Sequence, residues 1–125
     1  MKTMNPKNII EIKDSAYMAF QKKDFSKAEK IYLDVLRIDS SCFVTFFNLG
    51  LIKLYSNDNK AAFIYFSKAL KLNSNNSKLY INLSIINNRL ERIDEAIGSL
   101  KKSLDIDFNL KVLLNLSSLY LSLKK

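Results

Sequence analysis

The chain repeats itself every 34 residues, and this periodicity constrains its fold more than any other feature. Superimposing the sequence on itself at that offset aligns columns of small and apolar residues. The aligned sets are Ala16, Gly50 and Ser84; Ala28, Ala62 and Ala96; Tyr32, Phe66 and Leu100; Leu36, Leu70 and Leu104; and Ile38, Leu72 and Ile106. The periodicity predicts one domain over residues 1–125, with units at 9–42, 43–76 and 77–109 and the first helix of a fourth unit, capping or truncated, at 110–125.

Each unit is predicted to form two helices. In the second unit, Phe46, Leu49 and Leu54 recur at helical spacing, and the polar run SNDN at 56–59 separates them from a second apolar stripe. Ser26 with Glu29 matches a capping box at the start of a second helix. The small residues at 16, 50 and 84 are predicted to face the alanine column, so that the two helix backbones of each unit approach closely. With only 2 glycines and 1 proline, the chain favours an all-α fold.

The pattern of the second unit resembles the tetratricopeptide repeat, a helix-turn-helix of 34 residues. The matching residues are Phe46, Leu49, Gly50, Ala62, Phe66 and Ala69. The departures are Ser15 at a leucine position and Ser40, Ser74 and Phe108 or Asn109 where the family has proline. The resemblance covers residues 9–123 and implies a right-handed α-solenoid of three helical hairpins and a seventh helix. It also implies a non-catalytic scaffold for protein–protein interaction.

Residue content argues against catalysis. The chain has no histidine, which removes histidine bases and most transition-metal sites, and Cys42 is the only cysteine. Neither glycine belongs to a phosphate-binding loop, because Gly50 and Gly98 both fall inside predicted helices. We therefore expect no enzyme activity, no cofactor and no metal.

Charge and hydropathy bear on partners and location. The net charge of +8 predicts attraction to acidic proteins or peptides, although 17 lysines against 3 arginines equally favour a compositional bias. Nucleic acid is the less favoured partner. No apolar run reaches the roughly 20 residues that span a bilayer. Acidic residues interrupt the N-terminal region where a signal peptide would be apolar, so we expect a non-secreted, cytoplasmic protein.

The resemblance implies that the first helix of each unit lines a concave groove. The predicted groove residues are Lys13, Asp14, Tyr17, Phe47, Asn48, Leu51, Lys78, Ile81, Asn82, Ile85, Arg89, Lys111 and Asn115. Amides both donate and accept hydrogen bonds, so Asn48, Asn82 and Asn115, at one column with Asp14 at its head, are predicted to hold the backbone of an extended peptide. Phe47, Leu51, Ile81 and Ile85 would contact its apolar side chains, and Lys13, Lys78, Arg89 and Lys111 would favour acidic ligands. The alternative is that the asparagines only belong to the repeat pattern and are solvated.

A narrower alternative is a co-chaperone. Some members of the family hold the C-terminal carboxylates of heat-shock chaperones with lysine, asparagine and arginine at set positions. Lys13, Asn48 and Lys78 match that arrangement, whereas Tyr17 and Asn82 replace its first asparagine and its arginine. Losing the arginine removes a bidentate partner for carboxylate.

The last segment, LKVLLNLSSLYLSL at 110–123, carries a single charge, on Lys111. Terminal helices of solenoids usually have a polar outer face. Leu113, Leu116 and Tyr120 are predicted to pack against the preceding helix, and the apolar residues left to be covered are Leu114, Leu119 and Leu121. This favours either a longer array or a homo-oligomer that associates through the C-terminal helix, with a partly exposed cap as the alternative.

Overall fold

The computed structural model describes residues 6–124, which form seven α-helices and no strand. Their bounds are Pro6–Gln21 (α1), Phe25–Ile38 (α2), Phe43–Tyr55 (α3), Asn59–Leu72 (α4), Ser77–Arg89 (α5), Ile93–Ile106 (α6) and Leu110–Leu123 (α7). Residues 1–5 and 125, which the predicted domain includes, lie outside the described residues.

The helices form three antiparallel hairpins and a seventh helix, which confirms the predicted α-solenoid. The closest helix contacts lie within the pairs α1–α2, α3–α4 and α5–α6, and consecutive hairpins join through α2–α3, α4–α5 and α6–α7. The first helices α3, α5 and α7 begin at Phe43, Ser77 and Leu110, so the last interval is one residue shorter than the one before it. The alanine column is fully buried at Ala28, Ala62 and Ala96.

The turn within each hairpin places one residue in the left-handed region. These residues are Lys23, Asn57 and Glu91, with φ of 61°, 62° and 61°. Asp24 and Asp58 follow the first two turns and cap the next helices, since their carboxylates accept from the N–H of Lys27 and Ala61. The predicted capping box at Ser26 and Glu29 is therefore wrong, because α2 begins at Phe25 and Asp24 is its cap.

The small-residue column faces an aromatic ring in the second hairpin. A Cβ atom added at Gly50 would lie 2.4 Å from Cε1 of Phe66, whose side chain is fully buried. The three atoms nearest to that position all belong to Phe66, a contact that the sequence did not predict. Gly50 is needed because the ring of Phe66 occupies the space of a side chain.

The seventh helix packs against α6 through Leu116, as predicted, but the rest of its buried face differs from the prediction. Val112 and Leu116 are buried with Ile97 and Leu100 of α6, and Leu119 packs partly against them. Leu113 and Tyr120 are exposed, so their predicted burial against α6 is wrong. The reason is that the buried stripe of α7 lies at Val112, Leu116 and Leu119, at spacings of four and three residues. Leu114 and Leu121 remain uncovered within residues 6–124, with exposures of 61% and 63%.

Candidate peptide-binding groove

Asn48 lies in α3 and has a partner from the preceding hairpin. Its Nδ2 donates a hydrogen bond of 2.8 Å to the hydroxyl oxygen of Tyr32 in α2, and only 6% of its surface is exposed. Tyr32 is itself 2% exposed, so the two polar groups satisfy each other inside an apolar cluster. The amide of Asn48 therefore has a structural use within the chain.

The protonation of Tyr32 responds to the same contact. Burial raises the pKa of Tyr32 above its usual 10.0 because it disfavours the phenolate, while the hydrogen bond from Asn48 opposes that change. The neutral hydroxyl thus remains the stable form at neutral pH, and its oxygen accepts from the amide.

The two later asparagines of the column are more accessible. Asn82 is half-buried, and its Nδ2 donates to the carbonyl oxygen of Lys78 in the same helix at 3.0 Å. Asn115 in α7 is exposed. It lines a small cavity of about 170 Å³ between α5 and α7, together with Ile85. Asn82 and Asn115 thus keep accessible surface on adjacent first helices, which Asn48 does not.

The predicted apolar groove residues also differ in how accessible they are. Phe47 is half-buried between the rings of Phe43 and Phe66, with centroids 5.8 Å and 6.0 Å away. Leu51 packs against the central core and Ile81 against the cluster around Leu116. Ile85 is exposed. The largest apolar contact left for a ligand on the predicted stripe of α5 is therefore Ile85.

Two of the four predicted cations are engaged within the chain. Nζ of Lys13 lies 3.6 Å from Oδ2 of Asp39. Arg89 donates from Nη1 to the carbonyl oxygen of Leu54 at the end of α3, at 3.2 Å. Lys78 and Lys111 are exposed. The free positive charge of the predicted groove is thus carried by α5 and α7.

The head of the column, in α1, is exposed. Asp14 and Tyr17 both face solvent, and the ring of Tyr17 stacks on that of Phe20 at 6.3 Å. Ile85 and Asn115 thus line one cavity, Lys78 and Asn82 lie on α5 with accessible surface, and Asn48 and Arg89 make contacts between hairpins.

Sequence reasoning missed three partners in this region. Tyr32 was placed only in the packing column, and the signal that it pairs was its hydroxyl at a position where the later units have Phe66 and Leu100. Asp39 and Leu54, which contact Lys13 and Arg89, gave no signal in the sequence. Those contacts join elements that pack together only in the folded chain.

Within residues 6–124 no cluster of three or more His, Cys, Asp or Glu side chains is suited to hold a metal ion. None of the helices described above combines the length and apolarity needed to cross a bilayer.

Comparison of sequences identifies one family. The sequence profile of the tetratricopeptide repeat matches residues 44–76 and 77–110, which is more than half of the chain. A search of curated protein sequences finds no match.

Solved structures of the same fold are numerous, with 203 similar chains. The first tetratricopeptide domain of Spaghetti, bound to the HSP90 peptide SRMEEVD, superimposes with a TM-score of 0.88 at 16% identity, covering 100% of both chains. The translocator chaperone SycD of Yersinia enterocolitica superimposes with a TM-score of 0.90 at 13% identity, covering 98% of this chain and 90% of its own. PcrH, in complex with the chaperone-binding region of PopD, gives 0.88 at 12% identity and 98% of both chains. At these identities the likeness concerns the fold.

Proposed function

The chain belongs to the tetratricopeptide repeat family, and from that premise we propose that it is a non-catalytic protein-interaction module that binds an extended acidic peptide in its concave groove. The observation that carries this proposal is the accessible strip on α5 and α7. There, Ile85 and Asn115 line one cavity, and the amide of Asn82 and the exposed cation of Lys78 lie on the same helix as Ile85. Spaghetti, SycD and PcrH are similar folds, and two of the solved structures hold a peptide or a binding region of a partner.

The chemistry of the strip suits a peptide backbone. An amide side chain offers one acceptor and two donors, so it pairs with a peptide group whatever the ligand's side chains are. Asn82 already uses a donor on its own helix, which leaves its carbonyl oxygen to accept from a ligand N–H. Lys78 and Lys111 add charge that favours carboxylates. The proposed site is thus centred on α5 and α7 and not on α3.

The test is selection of random twelve-residue peptides on the whole chain, followed by fluorescence polarisation with the peptides recovered. Replacing both Asn82→Ala and Asn115→Ala removes two backbone hydrogen bonds and should weaken binding about 30-fold, at about 1 kcal/mol for each bond. The matched control is Asn75→Ala, an exposed asparagine in the linker before α5. Recovery of no peptide, or equal binding by the double variant, would exclude the groove as the site.

The chaperone-tail alternative is less well supported than the general peptide site. Two of its three matching residues are engaged inside the chain, because Lys13 pairs with Asp39 and Asn48 bonds to Tyr32. The position of the clamp arginine holds Asn82. We expect the peptide SRMEEVD to bind no more tightly than an acidic peptide of scrambled sequence, measured by the same polarisation assay.

Self-association is the second candidate function, favoured by the uncovered leucines of α7. Leu114 and Leu121 are exposed, whereas Leu119 is half-buried against α6 and is a poorer contact than the sequence predicted. Light scattering after size exclusion over a concentration series measures the mass directly. A dimer that Leu121→Lys returns to the monomer of 14.4 kDa supports the second candidate, and a monomer at every concentration excludes it.

A further inference from the structure

A second cavity lies between the hairpins, among α4, α5 and α6. It measures about 510 Å³ and is bordered by Phe63 of α4, Tyr80 and Asn87 of α5, and Ser99 of α6. The concave strip proposed above uses Lys78, Asn82 and Ile85, which do not line this cavity. It is therefore a separate feature of the molecule.

The equivalent place in the preceding pair of hairpins is filled by an aromatic ring. Tyr65, which stands 34 residues before Ser99, packs against the buried clusters on both of its sides. Its ring lies 6.4 Å from that of Phe46, the equivalent of Tyr80. The cavity thus occupies the position at which the preceding repeat places a tyrosine ring.

The two places share one further feature. A lysine covers the aromatic ring of the first helix in each case. Lys68 lies 5.7 Å from the ring centre of Phe46, and Lys102 lies 5.9 Å from that of Tyr80. The aromatic ring and lysine that lie next to Tyr65 thus have counterparts at the cavity.

One residue that lines the cavity, Asn87, has a buried oxygen without a partner. Asn87 is 5% exposed, and its Oδ1 makes no hydrogen bond within the described part of the chain. At the equivalent place Lys53 pairs with Glu29 at 2.8 Å, but here Glu29 is replaced by Phe63. A buried amide oxygen without a partner is unfavourable, and a hydroxyl that reaches it supplies the missing donor.

The rim of the cavity is more basic than acidic. The guanidinium of Arg92 lies over the ring of Phe63 at 4.8 Å, and Lys102 and Glu95 also line the opening. Two cations and one carboxylate leave one positive charge there, in a chain whose net charge is +8. A ligand with carboxylates beside its aromatic group is complementary to this rim.

From these contacts we infer that the cavity binds a tyrosine side chain carried by an acidic segment of a partner protein. The ring takes the place that Tyr65 occupies between the earlier hairpins, and its hydroxyl donates to Oδ1 of Asn87. Carboxylates on either side of the tyrosine meet Arg92 and Lys102. This surface adds a second point of attachment, independent of the peptide groove.

The experiment titrates the full chain, labelled with ¹⁵N, with the pentapeptide acetyl-EEYEE-amide and follows amide shifts by NMR. Gly98 serves as the reporter, because it lines the cavity and is one of only 2 glycines. Shifts at Gly98 and Ser99 are expected. Acetyl-EEAEE-amide should leave them unchanged, and acetyl-EEFEE-amide should bind about fivefold more weakly because it lacks one hydrogen bond.

Two variants place the binding in the cavity. Ser99→Tyr should fill the cavity with the chain's own ring and weaken binding of the tyrosine peptide at least tenfold. The matched control is Ser26→Tyr, an exposed serine of α2, which should bind as the parent does. Should Ser99→Tyr fail to fold, Asn87→Leu tests the same contact, since it should abolish the preference for tyrosine over phenylalanine.

Any one of four results would overturn the inference. Shifts of equal size with the alanine peptide would indicate attraction of charge alone. The others are unchanged affinity in Ser99→Tyr, a preference for tyrosine over phenylalanine that survives Asn87→Leu, and no shift at Gly98 at millimolar peptide. The variant Asn82→Ala should leave this binding unchanged, so failure of the groove proposal and failure of the cavity proposal are distinguishable.

Discussion

The second and third hairpins have helices of equal length, yet the pairs of residues that meet at equivalent positions differ between them. Gly50 lies against the buried ring of Phe66, whereas the equivalent residues in the third hairpin are Ser84 and Leu100. Lys53 pairs with Glu29, whereas its equivalent Asn87 has an unsatisfied oxygen. The comparison indicates that the same repeat pattern accepts a different residue at one position when the residue facing it changes in size or charge.

The largest effect is expected from giving the second hairpin the small residue of the third. In Gly50→Ser, the new Cβ would overlap a ring that is 0% exposed, so the free energy of unfolding should fall by about 3 kcal/mol. Adding Phe66→Leu recreates the pair of the third hairpin and should restore part of that loss. Urea denaturation of both variants measures the two changes.

The other glycine provides the control for that prediction. Gly98 is also helical, but a Cβ added there meets nothing within 4 Å. Gly98→Ser should therefore raise stability slightly, by about 0.5 kcal/mol, because serine is the better helix former. Equal effects at the two glycines would show that the ring of Phe66 does not limit position 50.

A smaller difference in the free energy of unfolding is expected between alanine variants of two asparagines in the same column. Asn48→Ala leaves the buried hydroxyl of Tyr32 without its donor and should lower the free energy of unfolding by about 2 kcal/mol. Asn82→Ala breaks only a contact within its own helix, at a half-buried site, and should change it by less than about 0.5 kcal/mol. Chemical denaturation at pH 7 measures both. Losses of the same size would mean that Asn48 and Tyr32 do not stabilise each other in solution.

The smallest effect depends on pH. The hydrogen bond to Glu29 raises the pKa of Lys53 above its usual 10.5. A raised pKa stabilises the folded state fully below the unfolded value, and this stabilisation is lost as pH rises through the folded value. Lys53→Asn, which copies Asn87, should therefore cost about 0.5 kcal/mol at pH 7 and progressively less above pH 10.5.

That pH prediction is measured by urea denaturation of the parent and the variant at pH 7 and at pH 11. The titration of Tyr32 is common to both proteins, so the difference between them isolates Lys53. A difference that stays constant over this range would mean that the ion pair does not contribute.

Much of the fold was predictable because its determinants are local and repeated. Helical spacing of apolar residues and an offset of 34 residues predicted the hairpins, and the structure confirms them with Ala28, Ala62 and Ala96 fully buried. The sequence did not predict that Gly50 meets the ring of Phe66, and it was wrong about the burial of Leu113 and Tyr120. Those depend on how helices pack and not on their spacing.

The candidate site was less predictable than the fold for the same reason. The sequence placed Asn48, Asn82 and Asn115 in one column, which treats them as equivalent. Their accessibility differs because Tyr32 of the preceding hairpin reaches Asn48, while Asn82 bonds to its own helix. A comparison of equivalent positions in the repeat does not show the contacts that a neighbouring helix makes.

The sequence alone determined the repeat, the helical hairpins, the excess of positive charge and the absence of histidine, since each follows from residue types and their spacing. Only the tertiary structure decided that Asn48 is used internally, that Arg89 binds the end of α3 and that Ser99 leaves a cavity where Tyr65 fills one. The physical reason is that hydrogen bonds and packing act over a few ångströms. The residues that come so close belong to different hairpins, and the fold brings them together.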